Sequence, residues 1–178
     1  SAFVVGFFGK NLGAKVSQII SSILVSISAL LSIFIFYQTL FNEYSSNKII
    51  FHWITSGNFQ VNWSINIDPL TSVMLVVVTL ISSIIHIYSI GYMSQDPNKQ
   101  RFMSYLSLFT FSMLSLVSAD NFLQLFFGWE GVGLCSYLLI GFWYKKQSAN
   151  AAAIKAFIVN RVGDFGLAIG IFLIFFHF

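Results

Sequence analysis

The sequence predicts an all-α fold: a polytopic transmembrane bundle of about six helices, the first partial, with a short extramembrane β-hairpin between helices 2 and 3. Three observations carry this. Hydrophobic residues make up 57% of the 178 positions and charged ones 8%, against roughly 25% charged in an ordinary soluble domain. The apolar residues fall in long unbroken runs rather than in amphipathic stripes. One segment, residues 42–66, breaks that pattern and alternates.

The runs are Ala2 to Gly9, Val16 to Phe41, Ile67 to Tyr92, Phe102 to Ala119, Phe122 to Tyr144 and Ala151 to Phe178. The complete ones approach the ~20 residues that cross a ~30 Å hydrocarbon core. Each must be helical, because a backbone without water has to satisfy its polar groups within the segment. A β-barrel is excluded, since the runs lack dyad alternation. In the second loop Phe51, Trp53, Phe59, Val61, Trp63 and Ile65 alternate with polar residues around Ser56-Gly57-Asn58, the pattern of a hairpin. Asp68-Pro69 then supplies an N-cap followed by proline at the first helical position, which starts helix 3. No initiator Met, basic leader or small-residue cleavage pattern marks a signal peptide. The chain reads as a single N-terminal part, 1–178, of a longer membrane domain.

Charge orients the bundle. Lys10, Lys15, Lys99, Arg101, Lys145, Lys146 and Lys155 fall at or near one side and Lys48 at the other, so the first side is the negative one. The hairpin and the turn at Ser118 to Asn121 face the positive side. The cations punctuate apolar runs and form no basic face, which excludes nucleic acid as a partner. A single cysteine, Cys135, excludes a disulfide within the chain and an iron–sulfur cluster held by its own thiolates.

Glu130 lies near the middle of the fifth run, in Gly128-Trp129-Glu130-Gly131-Val132-Gly133. A carboxylate at that depth costs at least ~2.5 kcal/mol and therefore requires protein, water or a cation around it. The neighbouring glycines let another helix approach closely and surround the carboxyl. Burial and a nearby cation pull its protonation in opposite directions, so such a group can exchange a proton as the cation moves. A static ion pair between two helices is the alternative. Arg161 and Asp164, three residues apart on the sixth helix, share a face and can pair locally. Lys155 lies nearer the negative-side end of that helix, where snorkelling explains it. His86 continues a stripe of Ser72, Thr79, Ser82 and Ser89 on one face of helix 3. That stripe suits a proton or water path and equally suits polar packing between helices. A second stripe in helix 2, Ser17, Ser21, Ser28 and Ser32, has no ionisable member and reads as packing. His52 and His177 show no metal-ligand spacing.

Several stretches together carry a resemblance: Ile67-Asp68-Pro69-Leu70, His86 to Met93, Ala119-Asp120-Asn121-Phe122, Gly128 to Trp143, and Ala156 to Asp164. Over nearly its whole length the chain resembles the chain 5 family of respiratory NADH:quinone oxidoreductase, complex I. The resemblance implies an antiporter-like subunit of the membrane arm, in a bacterial or mitochondrial inner membrane. It implies proton translocation coupled to electron transfer in other subunits, with flavin, iron–sulfur clusters and quinone sites in those partners and no cofactor in this chain. Other membrane-arm subunits and the lipid bilayer are the implied partners. Glu130 matches the family's fifth-helix glutamate, which switches its pairing with a lysine of a later helix. Arg161 and Asp164 match the charged pair of its sixth helix. His86 and Lys155 complete the set of candidate proton-path residues. The large subunit of a multisubunit cation/proton antiporter, with similar helices, is the nearest alternative, and a scaffold with static charges is a third.

Overall fold

A computed structural model describes residues 1–42, 44–57 and 59–177, the side chains of 10–12 excepted. Asn58 of the expected turn, the Lys10 side chain and Phe178 lie outside the described residues. The described elements are α1 (Ala2–Leu12), α2 (Ala14–Phe41), β1 (Ser46–Ser56), β2 (Phe59–Ile67), α3 (Pro69–Tyr92), α4 (Lys99–Val117), α5 (Phe122–Ile140) and α6 (Gln147–His177). The expected bundle and hairpin are both present.

Four helices, α2, α3, α5 and α6, are long and apolar enough to cross a membrane. The exception among the longer helices is informative. α4 has as many residues as α5, but it packs against α1, α2, α3 and α5. A helix walled by protein on several sides needs less apolar surface than one facing lipid, and α4 accordingly carries Ser107, Thr110, Ser112 and Ser115 as buried residues. The two largest boundary shifts from the expectation are at α5, which stops at Ile140 instead of Tyr144, and at α6, which begins at Gln147 instead of Ala151. The Gly141 amide still donates to the Tyr137 carbonyl at 2.9 Å where α5 ends.

The packing is inverted relative to a soluble protein. Buried positions are rich in serine and threonine, while Leu30, Phe34, Ile84, Phe165 and Phe172 stand exposed. Exposed apolar area on this scale is a surface for lipid or other protein, and small polar residues let helix backbones approach and hydrogen-bond across the interface. Three rungs join the antiparallel α2 and α3 to each other and to α4: Ser32 with Thr79 at 2.6 Å, Ser26 with Ser83 at 2.8 Å, and Ser82 with Thr110 at 2.5 Å.

The bundle has two distinct ends. At one, Asp68 caps α3 by accepting from the Thr71 amide at 2.6 Å, and the hairpin sits against the α4–α5 turn. β1 and β2 pair antiparallel with two register irregularities in β1, between Ile49 and Phe51 and between His52 and Ile54. Trp53 and Trp63 meet Phe127 of α5 edge-on, with ring centroids 5.8 and 5.1 Å away. The Asn66 amide donates to the Ser118 carbonyl at 3.1 Å. The hairpin and the 118–121 turn thus share one side, as expected. At the other end Arg101 donates to the Phe142 carbonyl at 2.9 Å and Trp143 to Asp96 at 3.0 Å, gathering Lys99, Arg101, Lys145 and Lys146 together.

Candidate functional site

α5 and α6 hold the charges that sequence placed within the membrane. Asn121 starts α5 by accepting from the Gln124 amide at 2.8 Å, and the apolar run continues it past Glu130. The Glu130 carboxylate is ion-paired with the Arg161 guanidinium of α6, the one salt bridge among the described residues. The guanidinium also lies 4.8 Å from the Phe157 ring, a cation–π contact one turn back on its own helix. Arg161 is 52% exposed at the side chain and Glu130 22%. The pair is therefore at the edge of the bundle, with Arg161 on its outer face.

Asp164 is buried, and its partner differs from the expected one. Its Oδ1 accepts from the Trp129 indole N–H at 2.8 Å, and no cation is within salt-bridge reach of it among the described residues. The expected local pair between Arg161 and Asp164 is thus replaced by two links across the helix interface. Adjacent residues of α5, Trp129 and Glu130, strap residues three apart on α6. The physical reason is that Arg161 finds a carboxylate on the facing helix, while Asp164 turns to the buried side, where only a neutral donor is at hand.

The glycines divide their work. A Cβ on Gly128 would meet the Leu116 backbone at 2.7 Å, and one on Gly131 the Ser112 hydroxyl at 2.8 Å. These two give α4 its close approach to α5. Gly133 has open space beside it and takes no part in that approach, contrary to the expectation that all three glycines serve it. With Gly163 it instead leaves a groove of about 360 Å³ between α5 and α6, lined by Trp129, Ser136, Asn160 and Asp164.

The other two candidates lie apart from this pair. Lys155 is exposed on α6, between one and two turns nearer its start than Arg161. His86 is fully buried among α2, α3 and α4. Its Nδ1 lies 2.7 Å from the Ser82 carbonyl and its Nε2 lies 3.2 Å from the Ser107 hydroxyl, which in turn lies 2.6 Å from the Ser21 hydroxyl. The helix-2 stripe read as packing is therefore joined to the histidine through Ser21.

Sequence reasoning missed Gln124 and Asp120. Gln124 is fully buried, accepts from the Ser64 amide at 3.1 Å and donates to the Ser64 carbonyl at 2.8 Å. Asp120 accepts from Asn47 at 2.7 Å and Ser64 Oγ at 3.2 Å. Only a polar residue in the first turn of an otherwise apolar helix signalled Gln124.

A polytopic bundle with an ion pair and a buried carboxyl held between two membrane helices defines a class: multi-pass membrane proteins with charges kept inside the span. Residues 53–103 match the family described as NADH-ubiquinone oxidoreductase (complex I), chain 5 N-terminus, and residues 119–178 match the NADH:quinone oxidoreductase/Mrp antiporter transmembrane family. The chain is 56% identical over 177 residues to the NADH-quinone oxidoreductase subunit L of Rickettsia bellii, covering 99% of this chain and 28% of that protein. It is 53% identical over 177 residues to the NADH-ubiquinone oxidoreductase chain 5 of Chondrus crispus, covering 99% and 27%, and 56% identical over 168 residues to that of Arabidopsis thaliana, covering 94% and 25%. The chain belongs to the complex I chain 5 family of antiporter-like membrane subunits. It spans about a quarter of the length of the curated relatives it matches.

Proposed function

We propose that the chain contributes part of a proton-translocating unit to an NADH:quinone oxidoreductase complex, in which electron transfer and its flavin, iron–sulfur and quinone chemistry belong to other subunits. The Glu130–Arg161 ion pair carries this reading. A carboxylate paired with a cation between two membrane helices binds and releases a proton as the pairing is made and broken. Arg161 and Asp164 act on it electrostatically: Arg161 by direct pairing, Asp164 through Trp129, the residue next to Glu130. The groove beside Asp164 gives water room to reach that carboxyl. Lys155 is a further cation on the same helix. The partners are the membrane-arm subunits of such a complex, in a bacterial or mitochondrial inner membrane.

The antiporter reading shares the second matched family. The first matched family and the names of the relatives favour the oxidoreductase.

The test is NADH-driven proton uptake in membrane vesicles carrying Glu130→Gln in the full-length polypeptide, with assembly checked on native gels. Quinone reduction and uptake both fall sharply in an assembled complex if Glu130 is a protonating group. Wild-type values for both would leave the pair structural and defeat the proposal.

A further inference from the structure

We propose that the α2–α3–α4 interface is a second, hydrated proton site built on His86, in which water held by Gln18 and Ser22 feeds His86 through the Ser21 and Ser107 hydroxyls. The proposal rests on the proton-transport reading of the chain and is independent of Glu130.

The tautomer of His86 is fixed by its surroundings. A carbonyl only accepts, so the 2.7 Å contact with Ser82 makes Nδ1 the protonated nitrogen. Nε2 is left as the basic atom, and it points at Ser107. In the neutral state Ser107 donates to Nε2 and Ser21 donates to Ser107. Both hydroxyls thereby run in one direction, towards the ring.

The second observation is two polar atoms with nothing to bond. Gln18 Nε2 and Ser22 Oγ have no hydrogen-bond partner among the described residues, although both side chains are more than nine-tenths buried. Leaving such a group dry is unfavourable. At about 100° per residue, Gln18 and Ser22 lie on α2 between Ser21, which bonds α4, and Ser26, which bonds α3. They therefore point into the three-helix interface, beside the start of the relay. A polar site with several partners is where buried water resides. Gln18 also lies one turn nearer than Ser22 to the end of the bundle that carries the cations.

The proton balance closes without a further reactant. A hydrated proton beside Gln18 and Ser22 passes one proton to the Ser21 oxygen, the Ser21 proton moves to Ser107, and the Ser107 proton moves to Nε2. The product is an imidazolium that donates to Ser107, with both hydroxyls reversed. The groups facing the ring from α2 and α4 are the hydroxyls of Ser21, Ser107 and, through Ser82, Thr110. The charged residues of these elements, Lys15 on α2 and Lys99 and Arg101 on α4, sit in their first turns, well along each helix from Ser21 and Ser107.

The experiment places Gln18→Leu, Ser107→Ala and, as a control, Ser28→Ala in the full-length polypeptide of the assembled complex. Ser28 donates only to the Val25 carbonyl of its own helix. Proton uptake per NADH oxidised and the thermal midpoint of the complex are measured, with Glu130→Gln in parallel. The expected result is that uptake falls by at least half in Gln18→Leu and in Ser107→Ala and is unchanged in Ser28→Ala, with no rise in midpoint for Gln18→Leu. If Gln18→Leu raises the midpoint and leaves uptake at the wild-type value, the site is dry and the proposal is overturned. If Gln18→Leu does not assemble, Ser107→Ala decides. Loss in Glu130→Gln alone overturns this site and spares the Glu130 reading. Loss in Gln18→Leu and Ser107→Ala with Glu130→Gln intact does the reverse.

Discussion

The Trp129 indole donates to the Asp164 carboxyl at 2.8 Å, so the acidic residue of α6 answers to α5 and not to the arginine three residues before it. Removing this one donor leaves a buried oxygen unpaired, at about 1–3 kcal/mol. Trp129→Phe is expected to lower the thermal midpoint of the assembled complex. Adding Asp164→Asn, which removes the charge, restores part of it, and a double-mutant cycle reads the coupling.

Arg161→Ala strands the Glu130 carboxylate between two membrane helices. The amount of assembled complex on native gels is expected to drop in Arg161→Ala and to recover in the Arg161→Ala, Glu130→Gln double variant. Recovery to no greater level than the single variant would show that Glu130 does not depend on this cation.

Gly128 and Gly133 separate close packing from open space. Gly128→Ala drives a methyl into the Leu116 backbone at 2.7 Å, and such overpacking costs about 1–3 kcal/mol. Gly133→Ala meets nothing and is expected to leave the thermal midpoint unchanged. Equal effects of the two would refute the assigned α4–α5 contact.

Gln124→Leu removes both bonds to the Ser64 backbone and leaves two strand groups unpaired, each costing about 1–3 kcal/mol. Limited proteolysis within β1 and β2 is expected to accelerate several-fold, while the helices stay resistant. An unchanged cleavage rate would mean the hairpin is held by its aromatic contacts alone.

The cap of α3 carries a pH dependence. The Thr71 amide, and after it the Thr71 hydroxyl, hold the Asp68 carboxyl below its ordinary 3.8. A depressed acid stabilises the fold fully above its unfolded value, and that contribution fades as pH falls through the lowered one. The protection of the Thr71 amide, measured against its intrinsic exchange rate, is expected to fall as the pH drops below about 5 and through the lowered value in the native chain, and to lose this dependence in Asp68→Asn. Asp68→Ala costs about 1 kcal/mol at neutral pH.

The helices were legible because lipid leaves an apolar run one option, and the hairpin because Phe51, Trp53, Phe59, Val61, Trp63 and Ile65 alternate. The end of α5 was not, since the helix stops at Ile140 inside a stretch whose hydrophobicity continues through Trp143. Glu130, Arg161 and Asp164 stood out as charges where lipid resists them. Their pairing did not, because spacing along one helix says which residues share a face and nothing of what the next helix offers. Ser21 shows the same limit from the other direction: a hydroxyl that looks like packing within α2 is the neighbour of a histidine's neighbour once α4 is in place.

The Gln124 amide mimics a strand edge, taking both backbone bonds of Ser64, and the Trp63 ring beside it rests on Phe127. The hairpin is consequently geared to the first turns of α5. On the proposed switching of Glu130, a tilt of α5 is expected to shift Trp53 and Trp63 outside the bilayer, and a change in their emission would register it.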